Sequence, residues 1–292
     1  MGAKDKIGKY LESYNDVFAD IFNVLLFGSE VINPDGLVGA GTETMYKAES
    51  GNVKNQMRDV HKHYNETNVQ IASLGIENQS DTDRDMAIRV LGYDYTGYRE
   101  QISNKESGRY PVITIVLNFS DKRWSGPKSL VESLDISDKL KGYVEDYHIK
   151  VFDIAYLSVE TRKKFKSDFK VVADFFAEKR LKKYNPHVHK EKIKHVEAVL
   201  ELLKVYTRDE RYGELEEIIL ENNSEGSVSM CEILDEYEKR GIEKGIEKGA
   251  ITVLIKLVMN EKITSEEACA ELDMSQEEFE QKIKEYEIIS LR

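Results

Sequence analysis

Apolar residues recur at three- and four-residue steps between residues 5 and 27. Ile7, Leu11, Tyr14, Val17, Phe18, Ile21 and Leu25 carry the pattern, which predicts an opening helix. From Gly28 to Val53 the chain is rich in glycine, asparagine and polar residues, and loop with short strands is expected. The period then falls to two. Asp59–Tyr64 and Val69–Ile76 alternate apolar with polar and read as a hairpin across residues 65–68. A helical pattern returns from Thr82 to Ser103, with Asp81 or Asp83 placed to cap it. Tyr110–Phe119 is nearly continuous in Val, Ile and Leu, as a strand covered on both faces requires, and Lys150–Ala155 predicts a second buried strand. From Val159 onward the period is helical. Pro186 interrupts it, and Lys190–Tyr206 and Asp209–Leu220 resume it.

Residues 222–227 have the composition of a linker, after which Gly-Ile-Glu-Lys occurs twice in tandem between Arg240 and Gly249. Gly245 and Gly249 fall four apart, as do Ile242 and Ile246. Small residues at that spacing suit close approach of another helix, and a solvated helical connector is the alternative. Ala250–Asn260, Ser265–Leu272 and Ser275–Tyr286 read as short helices. Thr264 and Ser275 stand three residues before Glu267 and Glu278, the spacing of a capping box. The last two helices have the outline of a helix-turn-helix. Glu277, Glu278, Glu280 and Glu285 on the second make it a poor reader of DNA, so packing or protein contact is expected there.

Composition narrows the class. The 292 residues allow one to three domains, and 33% charged residues with a mean hydropathy of -0.51 describe a soluble protein. No apolar run is long enough to span a membrane, and no membrane partner is expected. The first residues, MGAKDKIGKY, lack the apolar core of a secretory signal, and Lys6 stands where myristoylation wants Ser or Thr. Two cysteines, Cys231 and Cys269, give neither a disulfide framework nor a zinc pattern, and a cytoplasmic, reducing location is expected. A net charge of -12 excludes a protein that coats nucleic acid indiscriminately. The charge is uneven, however. Residues 162–194 hold twelve Lys or Arg against four Asp or Glu, whereas residues 232–292 hold nine against sixteen. The basic stretch, with Lys179, Arg180, Lys182 and Lys183 in it, is either a solvated face or a track for phosphates.

Candidate chemistry gathers at the end of the second hairpin strand. Alternation puts Glu77 and Gln79 on one face, with the Asn78 backbone carbonyl between them and Asp59 reaching the same strand end from its partner. Two carboxylates and a carbonyl form a hard oxygen site suited to Mg²⁺ or Mn²⁺. On pattern alone the plain alternative is a solvated strand end. His61 and His63 alternate with Asp59, but no further Cys or His at ligand spacing completes a zinc site. No Walker loop, nucleophile elbow or HExxH is present.

NDVFADIF (residues 15–22), the Asp59 strand, GIENQS (75–80) and DMAIRVLGYDYTGYREQ (85–101) occur in that order. They are followed by VITIVLNF, Trp124-Ser125-Gly126-Pro127 and FKSDF (165–169). In order and spacing residues 8–185 resemble the recombination-promoting nuclease (Rpn) and putative-transposase family of bacteria, within the PD-(D/E)XK nuclease superfamily. The resemblance implies an α/β fold with a restriction-endonuclease-like core: a mixed central sheet flanked by helices, over residues 1–185. A helical extension, 186–222, and an all-α C-terminal region, 228–292, would follow. It implies Asp59 and Glu77 as ligands of Mg²⁺ or Mn²⁺, and Gln79 in the place of the usual catalytic lysine. Asp16 would assist, and Arg89 and Tyr93 would meet phosphate. The implied activity is Mg²⁺-dependent cleavage of DNA linked to recombination or mobile elements. The alternative is a nuclease-fold module of little or no activity that binds DNA or protein. A homo-oligomer, most simply a dimer through the helical tail, is expected under either.

Overall fold

The structure is a computed structural model that describes residues 11–40, 43–47, 53–57, 59–66, 69–104, 108–215 and 228–290. The chain divides into two units, Met1–Met230 and Cys231–Arg292. In the first, α1 (Asn15–Ile21) runs on as a π-helix, Phe22–Phe27, and then come β1 (Leu37–Gly39), β2 (Glu43–Lys47) and β3 (Val53–Met57). The hairpin β4 (Val60–Glu66) and β5 (Val69–Gln79) leads into α2 (Met86–Ser103) and β6 (Val112–Asn118). After the short helices α3 (Leu130–Ser133) and α4 (Asp138–Lys141) come β7 (Lys150–Asp153), α5 (Val159–Arg162), α6 (Phe169–Arg180) and α7 (Val196–Thr207).

The main sheet is mixed, with strand order β1-β4-β5-β6-β7, and β2 pairs with β3 in a separate ribbon. The hairpin pairs are antiparallel, whereas β5-β6 and β6-β7 are parallel. The β4–β5 hairpin forms, but Asn65 and Glu66, expected in its loop, pair within β4: Glu66 stands opposite Val69 and Val60 opposite Ile76, with a shift at Tyr64/Asn65. Residues 67 and 68, in its turn, lie outside the described residues. The apolar run at 110–119 becomes the central strand β6, with Ile115, Val116 and Leu117 wholly buried. Val116 packs with Met86, Ala87, Val90 and Tyr93 of α2 and with Trp124 and Ile149. Alternation turns Ile115, Leu117 and Phe119 to the other face, where Phe119 meets the rings of Phe169 and Phe176 on α6. Gly97 lets α2 lie close on the sheet, since a Cβ there would sit 3.0 Å from both Val112 methyls.

Several expectations change. The predicted opening helix is interrupted at Glu12–Tyr14 and restarts as α1; residues 5–10 lie outside the described residues. Gly28, at φ 69°, ends the π turn, and Asn23 fixes the exit by accepting the Val31 and Ile32 N–H groups, each at 2.8 Å. The helix expected from Thr82 starts at Met86, because the Asp83 carboxylate takes the Asp85 N–H at 2.8 Å and holds a turn there. Lys150–Ala155 is not a buried strand. β7 lies at the sheet edge, is half-buried, and gives way after Asp153 to a 3₁₀ turn, Ile154–Tyr156.

The second unit is helical: α8 (Met230–Met259), α9 (Ser265–Leu272) and α10 (Gln276–Ser290). The Gly-Ile-Glu-Lys repeat is no separate connector but the exposed middle of α8, a single 30-residue helix. Ile251, Ile255, Ala268 and Phe279 make the core of this unit. Both predicted capping boxes form. Thr264 Oγ1 accepts the Glu267 N–H at 3.2 Å and Ser275 Oγ the Glu278 N–H at 3.3 Å, and each glutamate returns the bond. Among the described residues no helix is long and apolar enough to cross a membrane.

Candidate active site

Asp59 immediately precedes β4, and the hairpin register sets it beside the end of β5. Its Oδ2 accepts the Asn78 backbone N–H at 2.7 Å. On the other edge of β5 the Gln79 carbonyl accepts the Phe119 N–H at 2.8 Å. Backbone groups alternate between edges, so the Asn78 carbonyl, like its N–H, opens toward Asp59. Glu77, 1% exposed, points to the α2 face with Gln79, whose Nε2 lies 3.4 Å from Glu77 Oε1. The same oxygen accepts Arg89 Nη2 and, at the long limit of 3.5 Å, the Tyr93 hydroxyl. Arg89 also donates Nη1 to Asp83 Oδ2 at 2.7 Å and Nη2 to the Tyr93 oxygen at 3.3 Å. Burial works against the Arg89 charge, but the Glu77 carboxylate, Tyr93 and the hydrogen bonds to Tyr93 and Asp83 together outweigh it and raise the guanidinium's pKa. Burial and the Glu77 charge together push the Tyr93 hydroxyl up.

A carboxylate that the sequence pattern did not select completes the cluster. Glu12, fully buried, accepts the Asn78 side-chain amide on Oε2 at 2.6 Å. Burial first, with help from the Asp59 and Glu77 charges, holds its carboxyl well above the usual carboxylate range despite that bond. Glu12 Oε1 and Asn78 Oδ1 are buried and make no hydrogen bond among the described residues. The turn carrying Glu12 is tied to β4 by Lys62, whose Nζ donates to the Ser13 carbonyl at 2.6 Å and to Asn15 Oδ1 at 2.5 Å. The only forewarning in the sequence is an acid set directly after Leu11 in an apolar stripe.

Asp16 does not join this cluster. Lys194 Nζ lies 2.8 Å from Asp16 Oδ2, and His195 Nε2 is 3.1 Å from either oxygen, with Tyr14 stacked on the imidazole. The break at Glu12–Tyr14 turns α1 so that Asp16 faces residues 194–195. His61 is likewise committed within the fold, 2.5 Å from Ser73 Oγ.

Much of the basic stretch is neutralised locally. Arg162 pairs with buried Asp174, Lys170 with Asp174 and Glu191, and Lys166 with Glu30. Arg180 donates Nε to the Ala155 carbonyl at 2.8 Å and lies over Tyr156, while Lys179 lies over Phe175. Lys182 and Lys183 are exposed.

The chain is thus a mixed α/β protein that brings buried carboxylates and the Arg89 guanidinium together at the C-terminal end of a central strand. Residues 54–208, more than half of the chain, match the family described as "Putative transposase, YhgA-like", and the chain belongs to that family. The match spans Asp59, Glu77, Gln79, Arg89 and the basic stretch, and family membership points to a role connected with mobile elements. No curated protein and no solved structure matches the chain.

Proposed function

We propose that this protein is a divalent-cation-dependent nuclease of PD-(D/E)XK type that hydrolyses phosphodiester bonds in DNA, in the mobile-element setting of its family. The observation that carries the reading is the convergence of Glu12, Asp59 and Glu77 on one strand end, with Glu12 Oε1 and Asn78 Oδ1 buried and lacking hydrogen bonds among the described residues. Carboxylates set close enough for Asp59 and Glu77 to help raise the buried Glu12 carboxyl fit a cation-binding environment. The donors are all oxygen, which suits Mg²⁺ or Mn²⁺ rather than zinc.

Asp59, Glu77 and the Asn78 carbonyl would hold the ion. When bound, such an ion polarises a phosphoryl oxygen and lowers the pKa of an attacking water. Gln79, beside Glu77, offers an amide that orients water without adding charge. Arg89 supplies the fixed positive charge that a lysine at residue 79 would have brought, braced by Asp83 and Tyr93. Glu12 holds its proton more tightly than a surface glutamate and fixes the Asn78 side chain. Self-association belongs to the same reading, because Ile242 and Ile246 are 64% and 68% exposed on α8.

A purified sample is expected to nick supercoiled plasmid with Mg²⁺ or Mn²⁺. Glu77→Ala should lose more than the roughly 10- to 100-fold typical of an outer-sphere partner. Equal nicking by both proteins would remove the assignment. One contact favours a second reading, a nuclease-fold module that binds DNA without cutting. Arg89 already sits on Glu77, so a protein cation neutralises one of the carboxylates. Salt-sensitive binding with no cleavage under either cation would select it.

A further inference from the structure

The parallel register aligns Gln79, Asn118 and Asp153 in one row at the C-terminal edge of the sheet. The candidate site occupies the β5 end of this row. At the β7 end, two strand spacings or about 10 Å across, the chain builds a different feature. Tyr156 follows β7 in the 3₁₀ turn, and its hydroxyl donates to the Asp121 carbonyl at 3.0 Å. The Arg123 guanidinium carbon lies 4.4 Å from the centre of that ring and the Arg180 guanidinium carbon 4.2 Å. Arg180 comes from the last turn of α6 and is fixed by the Ala155 carbonyl. Arg123 is placed by its neighbour, since the Trp124 N–H is held by Asp153 Oδ1 at 2.8 Å, an oxygen shared with the Asn118 amide.

Two guanidiniums are thereby held on one tyrosine. Neither makes an ion pair with a carboxylate among the described residues, unlike Arg162, Lys166, Lys170 and Lys194 of the neighbouring basic stretch. Both lying within 4.4 Å of one ring centre, the two guanidinium carbons are less than about 9 Å apart, and the ring only partly offsets their repulsion. An anion within reach of both would relieve it, and the planar fork of arginine matches a phosphate.

We propose that Arg123 and Arg180, set on Tyr156, clamp a backbone phosphate of the nucleic acid about three nucleotides of axial rise from the Glu77 site. The clamp rests on the proposed function for the identity of its ligand and explains how a chain of net charge -12 could hold a polyanion across its sheet edge. It extends the basic surface beyond Lys179, Lys182 and Lys183 to a residue in a different loop.

The test is fluorescence anisotropy with the full chain in EDTA, on a labelled DNA duplex of about 20 base pairs and an RNA duplex of the same sequence, between about 50 and 200 mM salt. Arg123→Ala should weaken binding about tenfold and reduce the slope of log K against log salt by about one. Arg123→Lys should restore the slope, because the charge returns. Arg180→Ala removes the Ala155 bond as well, so its melting temperature is measured alongside and Arg123→Ala alone carries the decision. Equal losses on both duplexes indicate a clamp that reads phosphate; loss on DNA alone narrows it to B-form backbone. Wild-type affinity and slope in Arg123→Ala, or absence of binding to either duplex by the wild type, overturns the clamp. A wild type that binds with the predicted slope but nicks nothing supports the clamp and removes the hydrolase reading.

Discussion

Glu12 and Asp16 stand four residues apart, on either side of the break before α1, and meet opposite electrostatics. Glu12 is buried among acids and is pushed up. At Asp16 partial burial acts in the same upward sense, but hydrogen bonds from Lys194 and His195 outweigh it and the carboxyl is lowered from 3.8. The sign of the linkage follows. A lowered carboxylate adds stability above its unfolded pKa and loses that contribution as pH falls through the folded value. Asp16→Asn is therefore expected to lower the melting temperature at pH 7 by about 2 °C, the scale of a partly exposed pair in a chain this long. The deficit should shrink as the pH is taken from about 5 toward 3, below the unfolded value. Thermal melts across that range decide it; a constant difference, or none at pH 7, would mean that the Lys194–Asp16–His195 contact adds nothing to stability. Because Asp16 lies in this contact and not beside Asp59, the substitution should leave divalent-cation binding unchanged.

At the scale of elements, what the sequence disclosed was whatever neighbouring residues decide. The alternation of β5, the apolar run of β6 and both capping boxes depend on residues within a few positions, and each forms as read. The first helix, the edge position of β7 and the burial of Glu12 depend on partners elsewhere. Asn78, which holds Glu12, is 66 residues away, and no period within a helix reports it. The repeat in α8 shows the converse. Each of its glycines disfavours helix by about 1 kcal/mol, yet the helix continues, with Ile251 and Ile255 packed farther along it. Phe279, fully buried, joins α10 to that packing. Truncating a buried phenylalanine costs about 3–5 kcal/mol, comparable with all that a unit of this size can muster. Phe279→Ala is expected to unfold residues 231–292, seen as lost helical circular dichroism and rapid proteolysis confined to that unit, while melting of the first unit persists. Undiminished protection of α8–α10 would show that Phe279 is not the keystone of the cluster.

For the whole molecule the question is what covers α8. At about 100° per residue, Ile242, Ile246, Gly249 and Val253 fall within about 60° of one another, in steps of four, three and four. Ile251 and Ile255, which pack in the unit's own core, lie on the opposite side of the helix, so the stripe faces away from it. Ile242, Ile246 and Val253 are 64%, 68% and 56% exposed, and nothing lies within 4 Å of a Cβ built at Gly245 or Gly249. A second copy of α8 running antiparallel about a two-fold axis would fit this stripe, as the proposed self-association requires. That pairing sets Ile242 against the partner's Val253 and Ile246 against the partner's Gly249, small beside large. It also brings Glu238 level with the partner's Lys256 on the same flank, so opposite charges meet at both ends of the stripe. A parallel pair would instead align Glu238 with the partner's Glu238. Light scattering of the full chain should therefore give a dimer whose mass falls to that of the monomer in the double variant Ile242→Glu, Ile246→Glu. Helix content should be unchanged, because both positions are exposed. Reversing charge at Lys256→Glu should weaken the dimer, and adding Glu238→Lys should restore it. A monomeric wild type, or a dimer indifferent to the isoleucine pair, would leave α8 without this partner.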